Sequence, residues 1–295
     1  MSNYVITCCS TVDLNNEIME KRGIPYTGFH YSLNDTEYVD DMGKSVSMHD
    51  FYQAMADGAT THTSQVTVGQ YEDFFRPFLE DGKDIIHATL SSGISGSYNS
   101  ALLAKEQLQE EYLERKITII DSLAASSGYG MYIDAIADYR DEGHSYEETV
   151  DFALNNRQNL NHLFYSTTLE YLIKGGRISK TSGVLGGVLG ICPVMHVTKA
   201  GKLEAYMKPI GVKRAIKRML SEMERLVRDG HDYDGKVFIS HSDVLDQAQS
   251  LAAQIEAAYP KINGKVQIFD IGTTIGAHTG PGTVALFFWG KDRED

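Results

Sequence analysis

The sequence predicts an α/β protein of two domains, each with a mostly parallel sheet flanked by helices. Short β-branched runs alternate with segments of helical periodicity along most of the 295 residues, a pattern typical of βα units. Because single hydrophobic cores rarely grow beyond roughly 250–300 residues, we expect two cores. We place the boundary near residue 160, which gives an N-terminal domain of 1–160 and a C-terminal domain of 161–295.

Several apolar runs have the length and the β-branched content of buried strands. These runs are Tyr4–Cys9, Asp84–Leu90, Ile117–Ile120, His162–Thr167, Lys236–His241, Lys265–Ile271 and Thr283–Trp289. Because parallel strands are joined by long crossovers that are usually helical, the alternation favours parallel pairing in both domains.

Two helices carry a start signal in the sequence. Thr67 with Gln70, and Ser145 with Glu148, have the capping-box spacing, in which a hydroxyl and an acid or amide satisfy the first free backbone amides. We therefore expect a helix to begin directly after each of these two hydroxyl residues.

The composition excludes several classes of protein. With 42% hydrophobic and 23% charged residues, the chain resembles an average soluble globular protein. A formal charge of −13 argues against a nucleic-acid-binding protein, which needs a basic surface for phosphate. The longest weakly polar stretch, Val184–Val197, is broken by glycines and Pro193 and is shorter than the ~20 apolar residues of a membrane span.

The cysteines and the N-terminus indicate a reducing compartment, which we take to be the cytoplasm. Cys8, Cys9 and Cys192 provide neither a disulfide framework nor a Cys-x-x-Cys pair, and the histidines lack the spacing of metal ligands. We therefore expect no metal and no cofactor. The first residues also lack the charged and apolar regions of a secretory signal.

The charge is distributed unevenly along the chain. Segment 174–228 contains twelve Lys or Arg and three acidic residues, a local charge of +9 that leaves −22 for the remainder. This asymmetry predicts one basic face. The face is either an ordinary solvated surface or a docking surface for an acidic partner or an anionic membrane.

Two polar segments lie at predicted helix starts, where anions often bind. His62-Thr63-Ser64-Gln65 precedes the capped helix, so backbone amides and the helix dipole would meet an anion there. The same residues are also ordinary for a helix cap. Ser91–Ser97 follows the strand ending at Leu90 and precedes a helix expected over Tyr98–Glu114, and its glycines allow backbone amides to approach a phosphate or carboxylate.

Two further candidate segments for a functional site contain glycines. Ile275–Gly282 places His278 and Thr279 in a turn that we expect Pro281 to fix, which fits either a structural or a ligand-binding histidine. A short helix from Leu169 is expected to end at Gly175, which we expect to adopt the left-handed conformation. Arg177 follows at once, and cations near helix C-termini are common stabilisers.

In this order, the four segments resemble the motifs of the DegV family of bacterial fatty-acid-binding proteins. The family's Thr-Ser-Gln-Pro motif is similar to Thr63–Val66, and its Ser-Ser-x-Leu-Ser-Gly-Thr-Tyr loop is similar to Ser91–Tyr98. Its Leu-x-x-Leu-x-x-Gly-Gly-Arg-Ile-Ser segment is similar to Leu169–Ser179, and its Gly-x-His-x-Gly-Pro-Gly motif to Gly276–Gly282. The resemblance covers nearly the whole chain.

The resemblance implies a lipid-binding carrier, not an enzyme, with a long-chain fatty acid between the two domains. The carboxylate would be held by Thr63, Ser64, Ser95, His278 and Thr279. Such neutral donors can replace the water that a carboxylate loses on burial. In the family, a separate fatty acid kinase phosphorylates the presented carboxylate, and the acyl phosphate enters phospholipid synthesis.

The resemblance also implies partner surfaces and a tunnel. Arg177 and the basic segment 174–228 would contact the kinase or, transiently, an anionic membrane. Two interpretations of segment 182–191 remain open, an acyl tunnel wall or ordinary helix packing. The apolar side chains concerned are Val184, Leu185, Val188 and Leu189.

The chain departs from the family pattern at three positions. Cys9 replaces the first aspartate of the family's Asp-Ser-Thr-Ala-Asp-Leu segment, Val66 replaces a proline, and Cys192 stands where lysine is common. The acyl-chain preference and the kinase partnership therefore stay open.

Two alternative functions rest on the same residues. A serine acyl hydrolase would use Ser95 as nucleophile and His278 as base, within hydrogen-bond reach of each other and with an acid orienting the imidazole. A phosphate- or nucleotide-binding regulator would use the loop Ser91–Ser97, which lacks the lysine of a Walker motif.

Overall fold

The computed structural model describes residues 3–179 and 190–294. In chain order the strands are β1 (Tyr4–Cys9), β2 (Tyr26–Thr27), β3 (His30–Leu33), β4 (Thr36–Val39), β5 (Thr61–Ser64), β6 (Asp84–Thr89), β7 (Ile117–Asp121), β8 (Leu160–Ser166), β9 (Val194–Val197), β10 (Leu203–Met207), β11 (Val237–His241), β12 (Gln267–Asp270) and β13 (Thr283–Trp289). The α-helices are α1 (Asn16–Lys21), α2 (Met48–Ala56), α3 (Val68–Glu80), α4 (Ser97–Glu111), α5 (Ser126–Asp141), α6 (Tyr146–Asn156), α7 (Glu170–Lys174), α8 (Val212–Leu226), α9 (Leu245–Ala258) and α10 (Thr273–Thr279).

The N-terminal half contains a four-stranded parallel sheet in the order β2-β1-β6-β7. Every residue of β1 is buried, and helices α3 to α6 pack against the sheet strands or against one another. A strand covered on both faces must be apolar throughout, which is why the sequence showed it as an unbroken apolar run. The α/β class and the parallel pairing predicted for this half are confirmed.

The C-terminal half contains a six-stranded sheet in the order β10-β9-β8-β13-β11-β12. Only β11 and β12 pair in parallel, while the other neighbours are antiparallel. The mostly parallel sheet expected here is therefore wrong. Strands β9 and β10, which were not predicted, form a hairpin whose connection is too short for a parallel crossover, and β13 runs antiparallel to both of its neighbours.

A third, three-stranded antiparallel sheet has the order β4-β3-β5. Its strand β5 includes Thr63, in a segment that was expected to be a polar loop. Helices α2 and α10 pack with this sheet, and Phe51, Tyr52, Ile271 and Ala277 share its small core. The C-terminal helix α10 is thus attached to an N-terminal sheet.

The local helix signals are largely confirmed. Both capping boxes form, at Thr67 with Gln70 and at Ser145 with Glu148. The glycine pair after α7 is the exception. Gly175 keeps a right-handed φ of −76°, whereas Gly176 has a φ of +72°, so the second glycine and not the first reverses the chain.

Two further observations concern the described ranges alone. None of their helices is both long and apolar enough to cross a bilayer. In chain order, β8 is the first strand of the six-stranded sheet, and it begins at Leu160. The division of the chain into two domains at residue 160 stays a prediction.

Candidate functional site

A cavity of about 370 Å³ lies between the large sheets, in contact with all four predicted motif segments. Thr63, Ser64, Ser95, His278, Thr279 and Arg177 all line it. The structure therefore brings every predicted site residue within the described ranges to one place. The predicted tunnel residues Val184, Leu185, Val188 and Leu189 lie outside the described residues.

Thr63 and His278 are joined at one end of the cavity. Thr63 Oγ1 on β5 and His278 Nε2 on α10 share a hydrogen bond of 2.7 Å across 215 residues of sequence. Burial, with the nearby Arg177 charge, lowers the pKa of His278 to about 4. The imidazole is therefore neutral at physiological pH, with one nitrogen able to donate and the other able to accept.

The other nitrogen of His278 faces the end of α7. Nδ1 has no hydrogen-bond partner among the described residues, and a Cβ placed on Gly175 would lie 2.2 Å from it. Gly175 is therefore needed for space beside the imidazole, not for its backbone conformation. This explains the first glycine of the predicted Gly-Gly-Arg segment better than the expected helix cap does.

Thr279 and Ser95 add two hydroxyls to the same end. Thr279 is 7% exposed, and its Oγ1 has no hydrogen-bond partner in residues 3–179 and 190–294. Ser95 Oγ accepts a hydrogen bond of 3.1 Å from the Ser97 amide, which leaves its own proton available for a ligand. We call this polar end, with Thr63, Ser64, Ser95, His278 and Thr279, the head end.

The loop Ser91–Ser97, which we call the serine-rich loop, is held in place by contacts with the C-terminal half. Ser91 Oγ donates to the Gly201 carbonyl over 2.8 Å, and a Cβ on Gly93 would lie 2.6 Å from Gly201. Glycine at position 93 therefore allows the loop to contact the β9–β10 connection backbone to backbone. The loop joins the two halves of the molecule at the cavity.

Arg177 donates hydrogen bonds to two backbone carbonyls. It is part-buried, its Nε donates to the Ile94 carbonyl at 3.2 Å, and its Nη1 donates to the Gly175 carbonyl at 2.6 Å. Burial lowers the pKa of Arg177. In this structure Arg177 ties the end of α7 to the serine-rich loop, while it also lines an outer cleft.

The opposite end of the cavity is mainly apolar. On the paired strands β8 and β13, Phe164 lies opposite Ala285 and His162 opposite Phe287, and all four line the cavity. Alternate residues of these strands, such as Leu163 and Leu286, belong to the second core on the other face. We call Phe164, Ala285, His162 and Phe287 the strand wall.

The strand wall was not found from the sequence. Because both faces of β8 and β13 are covered, their apolar alternation does not show which face meets the cavity.

Thr279 marks the polar end of this wall, since its carbonyl accepts from Ser166 Oγ at 3.5 Å and from Thr283 Oγ1 at 3.4 Å.

Two buried carboxyl groups, neither of them predicted from the sequence, support the cavity lining. Asp40 accepts a 2.6 Å hydrogen bond from the hydroxyl of Thr274 on α10, and Asp13 accepts one from the Ser126 hydroxyl. Burial raises the pKa of both carboxyl groups. Asp40 therefore anchors the helix that carries His278, although it does not line the cavity itself.

The arrangement does not provide the geometry of a serine hydrolase. His278 Nε2 faces Thr63 and its Nδ1 has no partner in the described ranges, so no carboxylate orients the imidazole there. The same ranges contain no cluster of three or more His, Cys, Asp or Glu side chains suited to a metal ion.

Solved structures identify the class of fold. A DegV-family protein from Thermus thermophilus, described by its fatty acid binding, has a TM-score of 0.86 and 25% identity, covering 97% of this chain and 99% of that one. A stearic-acid-binding protein from Eubacterium ventriosum also has a TM-score of 0.86 and 25% identity, covering 98% of each chain. This α/β fold is thus the fold of known fatty-acid-binding proteins.

The family follows from the sequence comparison. The family model described as "Uncharacterised protein, DegV family" matches residues 4–291. A DegV domain-containing protein of Clostridium perfringens is 34% identical over 294 residues, which is 100% of both chains. The chain belongs to the DegV family, and the resemblance drawn from four motifs is confirmed.

Proposed function

We propose that this protein is a carrier that binds one long-chain fatty acid in the cavity, with the carboxylate at the head end. The observation that carries the proposal is that hydroxyl and imidazole side chains from three distant segments line one end of a mainly apolar cavity, namely Thr63, Ser64, Ser95, His278 and Thr279. The Thr279 hydroxyl has no partner in the described ranges, and it can donate to a ligand oxygen.

The head end suits a carboxylate because its own side chains are neutral hydrogen-bond donors, while the charge of Arg177 lies nearby. If the His278 Nε2 proton is donated to Thr63 Oγ1, the Thr63 hydroxyl proton is free to point at a ligand oxygen. Ser95 and Thr279 each have a hydroxyl proton to donate as well. Several such hydrogen bonds to an anion offset the loss of its hydration.

The apolar end supplies most of the binding free energy. Burial of each CH₂ group contributes about 0.8 kcal/mol, so a long acyl chain provides ample affinity by itself. The head end then fixes the orientation of the acid and leaves its carboxyl group beside the part-buried Arg177. The fatty-acid-binding proteins from Thermus thermophilus and Eubacterium ventriosum share this fold, which supports the same ligand class here.

Direct identification of the ligand tests the proposal. Purified protein is extracted with organic solvent and analysed by mass spectrometry, and delipidated protein is titrated with oleate. We expect a co-purifying fatty acid and binding with one molecule of oleate per chain. Ser95→Ala and His278→Ala should each weaken binding by about 1–3 kcal/mol, the cost of an unpaired buried partner. Absence of both a bound acid and oleate binding would refute the carrier function.

The same variants separate a carrier from a hydrolase. Ester hydrolysis by the purified protein that disappears in Ser95→Ala would favour the hydrolase alternative. If the protein is a carrier, neither the wild-type protein nor Ser95→Ala should hydrolyse esters. Protection against heat by phosphate but not by oleate would instead favour the phosphate-binding regulator.

We further propose that the carrier presents its bound acid to a fatty acid kinase through Arg177 and the basic segment 174–228. On α8, Lys213, Arg214, Lys217 and Arg218 are all exposed, as a surface for an anionic partner or membrane requires. We expect Arg177→Ala to retain oleate binding and to lower acyl phosphate formation by the kinase from the same organism. Normal phosphorylation of oleate held by this variant would refute the docking role of Arg177.

A further inference from the structure

The cavity ends at one row of the strand wall. Alternate residues of β13 from Thr283 to Phe287 line the cavity, and His162 lies opposite Phe287 on β8. The next pair on the same face, Trp289 and Leu160, does not line it. The distance along β13 from Thr283, beside the head end, to Phe287 is about 13 Å at the usual rise of a strand. His162 and Phe287 therefore close the cavity along these strands, far from the head end.

Three contacts hold the imidazole of His162 in one orientation. Nδ1 lies 3.1 Å from the Leu160 carbonyl, and because a carbonyl only accepts, Nδ1 carries the proton. The ring packs edge to face on Phe287, with 5.2 Å between centroids. A Cβ at Gly128 on α5 would lie 2.4 Å from Nε2, so the backbone of α5 covers this edge of the ring. The imidazole is thus fixed between β8, β13 and α5.

The ring of Phe287 is packed against the same helix. A Cβ at Gly128 would lie 2.5 Å from its Cδ1, and Phe287 is buried. Because both rings already contact α5 at Gly128, neither can move toward this helix to admit a longer ligand. Flexible side chains such as methionine would adapt their shape instead. The two rings therefore form an end wall of fixed position.

A second, smaller cavity lies on the other side of His162. Its volume is about 10 Å³, and His162 and Val197 line both cavities. The imidazole therefore separates the two spaces. Removal of the imidazole would join them and would extend the main cavity past its present end.

We propose that His162 and Phe287 set the longest acyl chain that this carrier accepts. The terminal methyl group of the longest fitting acid contacts the two rings while its carboxylate lies at the head end. Each CH₂ group up to this length adds buried apolar surface, whereas a further one must displace a ring that is already packed. The inference rests on the proposed fatty-acid-binding function and adds a limit on chain length.

The test titrates delipidated protein with the even-numbered saturated acids from laurate to behenate, which lengthen by two CH₂ groups at each step. For the wild-type protein we expect the dissociation constant to fall roughly tenfold per step up to a limit and to rise beyond it. His162→Ala should move this limit to an acid at least one step longer. His196→Ala is the matched control and should keep the wild-type limit, because His196 lies on the adjacent strand β9 and does not line the main cavity.

Each outcome bears on one proposal. An unchanged limit in His162→Ala, or an equal shift in His196→Ala, overturns the role of His162. Failure of the wild-type protein to bind any of these acids refutes the carrier function itself. If His162→Ala does not fold, Phe287→Leu replaces it, since leucine is smaller but still apolar, and the limit should again move to a longer acid. An affinity of the wild-type protein that rises at every step through behenate overturns the end wall without either variant.

Discussion

The two ends of the cavity are built in different ways. The head end combines side chains from β5, the serine-rich loop and α10, and its Thr63–His278 contact joins positions 215 residues apart. The strand wall comes from two adjacent strands whose register alone places Phe164 opposite Ala285. A site assembled from distant segments depends on exact spacing, whereas an apolar wall tolerates changes of shape. Substitutions should therefore have larger effects at the head end.

The largest effect is expected from Gly175→Ala. The added methyl would lie 2.2 Å from His278 Nδ1 and 3.2 Å from the Tyr171 carbonyl, so the imidazole must move away from Thr63. Because φ at Gly175 is −76°, alanine is not strained in the backbone. We expect oleate affinity to fall by at least about 3 kcal/mol, since several head-end hydrogen bonds are lost together, as measured by titration calorimetry.

Gly69→Ala is the control for this substitution, because Gly69 lies in helix α3 with no atom within 4 Å of an added Cβ. Its oleate affinity should equal that of the wild type. An affinity in Gly175→Ala within twofold of the wild type would contradict the spacing argument.

The second effect is a dependence of stability on pH. The folded-state pKa of His278 is about 4, below the ordinary value of 6.5, so between these values the unfolded chain binds a proton that the folded protein does not. The free energy of unfolding therefore falls as pH drops from 6.5 toward 4, by up to about 3 kcal/mol from this group. His278→Asn should lose less stability on acidification, as measured by urea denaturation at a series of pH values.

His49→Asn provides a control of opposite sign. Asp243 raises the pKa of the exposed His49, so the stabilisation from His49 is present at low pH and is lost as pH rises through its folded-state pKa. In His49→Asn, the free energy of unfolding should therefore fall further on acidification than in the wild-type protein. Identical pH profiles for His278→Asn and the wild type would rule out a neutral, buried His278.

The third effect concerns a single head-end hydroxyl. Thr63→Val keeps the side-chain shape, removes the hydrogen bond to His278 and leaves the ligand without one donor, so oleate affinity should fall by about 1–3 kcal/mol. Thr61→Val is the matched control on the same strand. Thr61 does not line the cavity, and its hydroxyl makes only a 3.5 Å contact with the Ala277 carbonyl. Equal losses in both variants would place the carboxylate elsewhere.

The smallest effect is expected at the strand wall. Phe164→Leu keeps an apolar surface and removes part of one ring, so oleate affinity should fall by only about 1 kcal/mol. Phe75→Leu, at a buried position of α3 that does not line the cavity, should lower the melting temperature without changing oleate affinity. A larger loss at Phe164 than at Thr63 would reverse the comparison between the two ends.

The sequence by itself determined much of the local structure and supplied the candidate residues that line the head end. Capping boxes and buried apolar runs need only a few neighbouring residues, so both capped helices and three of the four strands of the N-terminal parallel sheet, β1, β6 and β7, were predicted. Thr63, Ser95 and His278 were found because their motifs occur in a family-specific order. The family assignment needed no coordinates.

Only the tertiary structure decided how these pieces meet. The short polar strands β3, β4 and β5 lack an apolar alternation, so the sheet that carries Thr63 was missed. The antiparallel position of β13 between β8 and β11 depends on pairings between distant segments. The need for glycine at position 175 comes from His278, more than a hundred residues later. Local sequence sets backbone preferences, but which side chains share a cavity is set by packing across the whole chain.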